Sequence, residues 1–424
     1  MPKSDSVRLT ALRVVMIIPE TVGVYCKMVE KDAKSLKVIH IAPTPFFSDR
    51  GCHIRIRNEI EALSGGAAKV ILCTYHLGQA VQGIDTRRIP MVPGYTNLGV
   101  GFSPYKFPAD ILLFLLTLKT VWRERPDILH GHLHEGALIG WVVKWCLFWR
   151  RMCLIMDMQG SLSGELIGYG TLEKGGWLTW FVRIIEGLIY RMPRLILCSS
   201  ESSRNLIVER FKVPESRTVL LQDAVPDAFL HKINGMALRQ RLGIGEDRTV
   251  IVYSGSLLPG KGVQHVLDSI KELKSRRDLY FILIGYPVED VQHYLKDHDL
   301  QESVLLQGRV AYDDLAGWLT IADIALDPKE ETTGEASGKI LHYMAAGLPV
   351  VCFDTPNNRA LLGANGYYAQ RDGGSFRQMI ESAVDDQPGR LERGRSGQHV
   401  ILDSYSLGNV ERVLTHHYQA SCSL

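Results

Sequence analysis

Short apolar runs rich in β-branched residues alternate with helix-length segments along almost the whole chain, and they do so in two series. "KVIHIAP" (37–43), "AKVILCTY" (68–75), "DILHGH" (127–132), "CLIMDM" (153–158) and "RLILCSS" (194–200) make the first. "TVIVYSGS" (249–256), "LYFILIGY" (279–286), "SVLLQG" (303–308), "ADIALDP" (322–328) and "GLPVVCFD" (347–354) make the second. A strand that is apolar throughout has to be covered on both faces, the state of a parallel sheet flanked by helices. Between the series, 226–248 is polar, punctuated by glycine and free of strand pattern. The chain is therefore expected to be α/β, with two doubly wound, Rossmann-like parallel-sheet domains at 37–230 and 231–403. Residues 1–36 precede the first expected strand and suggest no role, and 404–424 follow the second domain. Two such domains face a central cleft with the carboxyl ends of their strands, where open α/β sheets bind ligands.

Composition excludes some classes of partner. A net charge of +2 over 424 residues leaves no footprint for nucleic acid, and 46% hydrophobic residues are ordinary for a globular chain. Eight scattered cysteines without a Cys-x-x-Cys pair fit reduced core thiols in a cytoplasmic protein. The run "VVMII" (14–18) is short for a signal segment and stops at Pro19. Lys144 and Arg150–Arg151 break the apolar stretch 136–156 below the ~20 residues of a membrane span.

Two strand–loop–helix junctions in the second half suit an anion. In "YSGSLLPGKG" (253–262) a loop of small residues leads to a helix starting near Gly262, and Lys261 adds a cation. Backbone N–H groups and the helix dipole both favour negative charge at such a point. Gly255-x4-Gly260-Lys261 nearly spells a Walker A loop, but Gly262 replaces the hydroxyl that would hold Mg²⁺, so ATPase chemistry is set aside. In "GEASGKILHYMAAGLPVV" (334–351) a helix is expected from about Lys339 to Ala346, closed by Gly347 and Pro349. Glu335, Ser337, Gly338 and Lys339 stand at its mouth. Two cationic helix mouths beside one cleft suit a diphosphate, and a carboxylate next to them suits sugar hydroxyls.

In the first half, "DILHGHLHEG" (127–136) places His130, His132, His134 and Glu135 after a strand. Alternate histidines share a face only if the strand runs on through them, and Gly131 and Gly136 point to a loop, so no metal site is expected.

These segments, with "LLQGRVAYDDLAGWLTIADIALDP", "IHIAPTPFFSDRGCHIRIRNEIEAL", "MDMQGSLSGELIG" and "LILCSSESSRNLI", resemble the family 4 glycosyltransferases of the GT-B fold in order and spacing over about 37–420. The resemblance implies a retaining, metal-independent transfer of a sugar from a nucleotide-diphosphate sugar to a hydroxyl of a glycan or lipid-linked acceptor. The donor is then a substrate, and no cofactor is implied. Carried over by position, Glu335 matches the first glutamate of the family's Glu-x7-Glu motif, which binds donor-sugar hydroxyls. Tyr343 stands where the second, ribose-binding glutamate would be. Lys261 matches the lysine of an Arg-x4-Lys diphosphate pair, and Ser256 replaces its arginine, a loss that Lys339 offsets. His132 matches a histidine near the reacting carbon. Gly51 matches a glycine turn that lets a helix mouth approach the donor phosphates. The terminal segment 404–424 resembles the family's helix that crosses back to the first domain. Two other readings fit the same residues: a scaffold disabled by Ser256 and Tyr343, and a sugar-nucleotide epimerase.

Trp141, Trp145 and Trp149 recur at i, i+4, i+8 beside Lys144, Arg150 and Arg151, and Trp177, Trp180 and Phe181 repeat the theme beside Arg183. Tryptophan favours the lipid headgroup level and basic residues favour anionic lipid. This pattern predicts peripheral contact of the first domain with the inner face of the membrane.

Overall fold

The computed structural model describes residues 36–96, 103–168, 170–230, 235–258, 261–329 and 337–422. The first half runs β1 Leu36–Ala42, α1 Gly51–Ser64, β2 Ala68–Thr74, β3 Asp85–Arg88, α2 Lys106–Glu124, β4 Ile128–His132, α3 Leu133–Cys146, β5 Cys153–Met158, α4 Trp177–Ile189, β6 Leu195–Cys198 and β7 Thr218–Leu220. The second runs β8 Thr249–Ser256, α5 Val263–Glu272, β9 Leu279–Tyr286, β10 Val304–Gly308, α6 Tyr312–Leu319, β11 Ile324–Asp327, α7 Gly338–Ala345, β12 Val350–Phe353 and β13 Gly366–Ala369. Further helices fill the remaining crossovers, and α8 Leu407–Cys422 ends the described chain.

The sheets are seven-stranded, β3-β2-β1-β4-β5-β6-β7, and six-stranded, β10-β9-β8-β11-β12-β13, with every neighbouring pair parallel. The chain is thus a GT-B architecture of two Rossmann-like sheets flanked by helices. In each sheet the strand order reverses beside the first strand, at β1/β4 and at β8/β11, and open α/β sheets bind ligands at such switch points. Three strands were not expected: β3, β7 and β13. All three are edge strands of three or four residues. β3 reads Asp-Thr-Arg-Arg and carries no apolar signal. Short, charged edges of this kind resist pairing with other chains.

The halves are joined by chain and by packing. The connection leaves the first half near Val225, and the return passes beside it, Val225 N–H donating to the Tyr405 carbonyl at 2.9 Å. Helix α8 then lies under the first sheet, where Val410, Leu414 and Tyr418 pack with Val38, Leu63 and Ile128. Phe46, Phe47 and Ile56 share an apolar cluster with Phe229, Tyr312 and Leu341 from beyond the crossing. Asp49 accepts from the Tyr312 N–H at 3.0 Å and from Arg309 at 2.8 Å.

Gly131 and Gly136 do not make a loop. β4 runs through Gly131 to His132, and α3 begins at the next residue. The glycines are there because helix and strand touch: a Cβ on Gly131 would lie 2.6 Å from the Gly136 carbonyl oxygen, and one on Gly136 2.7 Å from the Ile41 carbonyl oxygen. Gly131→Ala therefore overpacks this seam and is expected to destabilise the protein by about 1–3 kcal/mol. The measure is a lower urea midpoint at unchanged m-value. An unchanged midpoint would mean that the helix does not sit against the strand as described.

Candidate functional site

Because β4 continues as a strand, His130 and His132 project from one face, and the register sets His40 of β1 beside His130 and Asp157 of β5 beside His132. All four side chains are completely buried. The His40 and His132 rings meet through Nδ1 and Nε2 at 2.8 Å, and His132 Nδ1 lies 3.0 Å from Asp157 Oδ2. Gln159 donates to the same carboxylate at 2.8 Å. His130 Nδ1 meets the Tyr418 hydroxyl of α8. The resemblance put His132 near a reacting carbon. Here it has no exposed surface and both ring nitrogens are bonded, to His40 and Asp157.

The partner that sequence reading missed is Arg55 of α1. Its guanidinium is buried and reaches Asp157 at 2.7 Å, Glu59 at 3.2 Å and Asp223 at 2.6 Å. Burial by itself would raise the Asp157 pKa, but Arg55 and His132 outweigh it and hold the carboxyl well below its usual range. Burial, then the Asp157 charge, pushes Glu59 the other way, well above the usual carboxylate range despite Arg55. His40 and His130 are kept neutral, chiefly by burial. Arg55 and Glu59 do carry an i, i+4 signal on a helix, which is usually a solvated pair.

The second half brings β8, β11 and α7 together. Lys339 Nζ pairs with the buried Asp327 carboxylate at 2.9 Å and lies over the Tyr253 ring at 4.4 Å. Burial opposes the ammonium, yet Asp327 holds it protonated above its ordinary range. The cation expected to offset the missing arginine is thus already neutralised by a strand-end aspartate. Tyr343 is fully buried, and its hydroxyl accepts from Ser254 N–H at 2.8 Å and lies 3.0 Å from the Ser254 hydroxyl. Its place is in the core, against the Ser254 backbone of β8.

Ser337 and Gly338 stand at the mouth of α7. The Ser337 hydroxyl is buried and meets no hydrogen-bond partner among the described residues. A Cβ on Gly338 would come 3.0 Å from Asp223 Oδ2, so this mouth also faces the carboxylate that Arg55 holds. Lys261 and Gly262 enter α5, and Ser256 ends β8. Gly262 has φ +85°, and a Cβ there would strike the Pro328 carbonyl at 2.1 Å. The loops after β8 and β11 therefore touch, which sets the Lys261 junction beside the α7 mouth. Gly51 opens α1 with nothing within 4 Å of an added Cβ, an open helix mouth. Glu335, within 330–336, lies outside the described residues. No metal ligand set was expected, but among the described residues His40, Glu59, His130 and His132 offer ligand atoms within 4.8 Å of one another.

Two family models match the chain: "Glycosyl transferases group 1" over 248–386 and "Glycosyl transferase 4-like domain" over 50–223. The lipopolysaccharide 1,2-N-acetylglucosaminetransferase of Salmonella typhimurium is 26% identical over 188 residues, 41% of this chain. The match covers 49% of that relative, about half its length. Among solved structures, the sucrose-phosphate synthase of Thermosynechococcus elongatus superposes with a TM-score of 0.76 at 12% identity, over 91% of this chain and 99% of the other. Anabaena HepE in complex with UDP-glucose superposes with a TM-score of 0.72 at 15% identity, over 91% and 100%. Both share the fold.

Tyr343→Phe tests the placement of that ring. Losing the Ser254 contact is expected to cost about 1 kcal/mol of unfolding free energy and to leave nucleotide affinity unchanged. Wild-type stability with a tenfold loss of nucleotide affinity would return the hydroxyl to a ribose.

Proposed function

Because the chain belongs to the group 1 glycosyl transferases with a 4-like first domain, we propose that it moves a sugar from a nucleotide-diphosphate sugar to a hydroxyl of a lipid-linked or glycan acceptor. The observation that carries the reading is the pair of helix entrances at the β8/β11 switch point. One brings Lys261 and the other a buried Ser337 hydroxyl, without a hydrogen-bond partner among the described residues, beside Gly338. An isolated buried hydroxyl is costly, and a phosphate oxygen at the α7 mouth would satisfy it. The complex of HepE with UDP-glucose supports a uridine donor on the same fold.

In this proposal the donor diphosphate lies across the two helix entrances. Negative charge that develops on the β-phosphate meets Lys261 and the α7 dipole, a gain that grows as the bond to the sugar breaks. Glu335 orients the sugar through its hydroxyls. The acceptor hydroxyl attacks from the face the diphosphate leaves, with retention, and its proton passes to the departing phosphate. No metal takes part at the donor. The Arg55–Asp157–His132 network acts by holding α1 and Asp223 in place. Lys261→Ala should weaken UDP or GDP binding by about 1.5–3 kcal/mol, the range for a hydrogen bond to a charged group. Calorimetry is the measure, and unchanged affinity for both nucleotides would overturn this site.

The acceptor side supports a lipid-linked substrate. Helix α4 is turned outside in: its buried face carries Glu186, which accepts from Leu162 N–H and the Tyr190 hydroxyl, both at 2.9 Å. Its apolar face points outward, with Trp177 80% and Trp180 65% exposed. Phe107 and Ile111 of α2, Trp145 near the end of α3, and Phe148 in the turn after it are also exposed. Trp149 lies beyond the end of α3, so the expected stripe of three is two residues of one helix and one of the following turn. Among the described residues no helix is long and apolar enough to cross a membrane, which leaves these side chains suited to lying at the surface of one. Lys144, Arg150 and Arg151 supply charge for anionic lipid. The protein is expected to float with anionic vesicles at low salt and to be released as salt rises. Failure to float would move the acceptor to soluble glycans.

A further inference from the structure

Beneath the first sheet, where α1 and α8 cover β1 and β4, several polar atoms face each other with no hydrogen-bond partner among the described residues. They are His40 Nε2, His130 Nε2 and both carboxylate oxygens of Glu59, although Arg55 contributes charge to Glu59 at 3.2 Å. All three residues are at least nine-tenths buried. His130 Nε2 and Glu59 Oε2 are 3.5 Å apart, and His40 and His130 stack with ring centroids at 4.5 Å. A buried polar group without a partner is costly, and here the costs fall at one point.

We infer that His40, His130 and Glu59 form a structural site for a divalent transition-metal ion, of the zinc class, that pins α1 and the returning helix α8 to the first sheet. Two imidazoles and a carboxylate are a borderline-soft donor set, suited to Zn²⁺ and poorly suited to Mg²⁺ or Ca²⁺. His132 lies in the same group, but both its nitrogens are bonded, so it backs His40. The outer partners have the form that orients metal-bound histidines: Tyr418 OH on His130 Nδ1, and the His132–Asp157 pair on His40 Nδ1. The ligand atoms lie within 4.8 Å of one another, whereas Zn–N bonds of about 2.0–2.1 Å bring tetrahedral ligands to roughly 3.4 Å, so filling the site draws them inward by about 1 Å. The ion is separate from the donor entrances at Lys261 and Ser337. Its role is therefore architectural, and it does not conflict with metal-independent transfer.

The test uses the full chain without a histidine tag, produced with zinc supplementation and passed through EDTA-containing gel filtration. Elemental analysis should find about one zinc per chain in the wild type and less than a tenth of that in Glu59→Gln and His40→Phe. Should these variants fail to fold, wild-type protein unfolded with chelator and refolded with Co²⁺ supplies a second readout, the visible d–d bands of a nitrogen-and-oxygen site. Its melting temperature should exceed that of the metal-free refolded chain by several degrees. A folded wild type with less than a tenth of an equivalent of any transition metal, and with a melting temperature unmoved by Zn²⁺ or Co²⁺, overturns the site. That result would assign the unpartnered atoms to buried water or a shared proton.

Discussion

The guanidinium of Arg55 joins three parts of the molecule that sequence keeps far apart. It meets Asp157 at the end of β5, Glu59 one turn along its own helix, and Asp223 on the connection to the second half. Being buried, it is not a simple source of stability, because desolvation of the charges offsets much of their attraction. Its effect is conditional. With all partners present the guanidinium is shared by three carboxyl groups, and removing Arg55 would strand two that are buried and a third at the α7 mouth, a loss of the order of 3–5 kcal/mol. The position of α1, the orientation of His132 through Asp157, and the contact of Asp223 with Gly338 all rest on this one side chain.

The two halves use the same device in different residues. In the first, a strand-end aspartate, Asp157, fixes a buried arginine; in the second, Asp327 fixes a buried lysine. Each pair stands next to its sheet's switch point, where a sheet opens to ligand. In the proposed reading, a fixed charge neutralised from behind leaves Lys261 and the partial charges of the helix entrances to meet the donor diphosphate. Those partial charges are fixed by the backbone, so such a site would need little reorganisation when a diphosphate arrives.

The long, doubly buried strands were legible in the amino-acid order because their period and length leave few other structures. So was the α7 helix with its glycine and proline stop. The edge strands β3, β7 and β13 were not, since three or four residues are too short to show a period. Gly131 misled because glycine signals both a bend and a close approach, and only the tertiary structure shows that α3 is pressed against the strand. That error hid the histidine cluster: His40 meets His130 only through strand register, which no spacing along the chain encodes. Tyr343 and Lys339 were found at the right junction, but what they face, Ser254 and Asp327, depends on how β8 and β11 pair. Glu335 lies outside the described residues, so its role remains a proposal.

The return of α8 to the first sheet has a consequence for the order in which the molecule is made. The hydroxyl that meets His130 belongs to a residue 288 positions later, so a ribosome adding about 5–20 residues per second delivers it roughly 15–60 s after the strand it completes. For that interval the underside of the first sheet, with Val38, Leu63 and Ile128, lacks its cover while the second half is being synthesised. The first half is thus a guest of α8. Early termination within the last few turns would leave a chain whose second sheet is whole and whose first sheet presents bare apolar surface to chaperones and proteases.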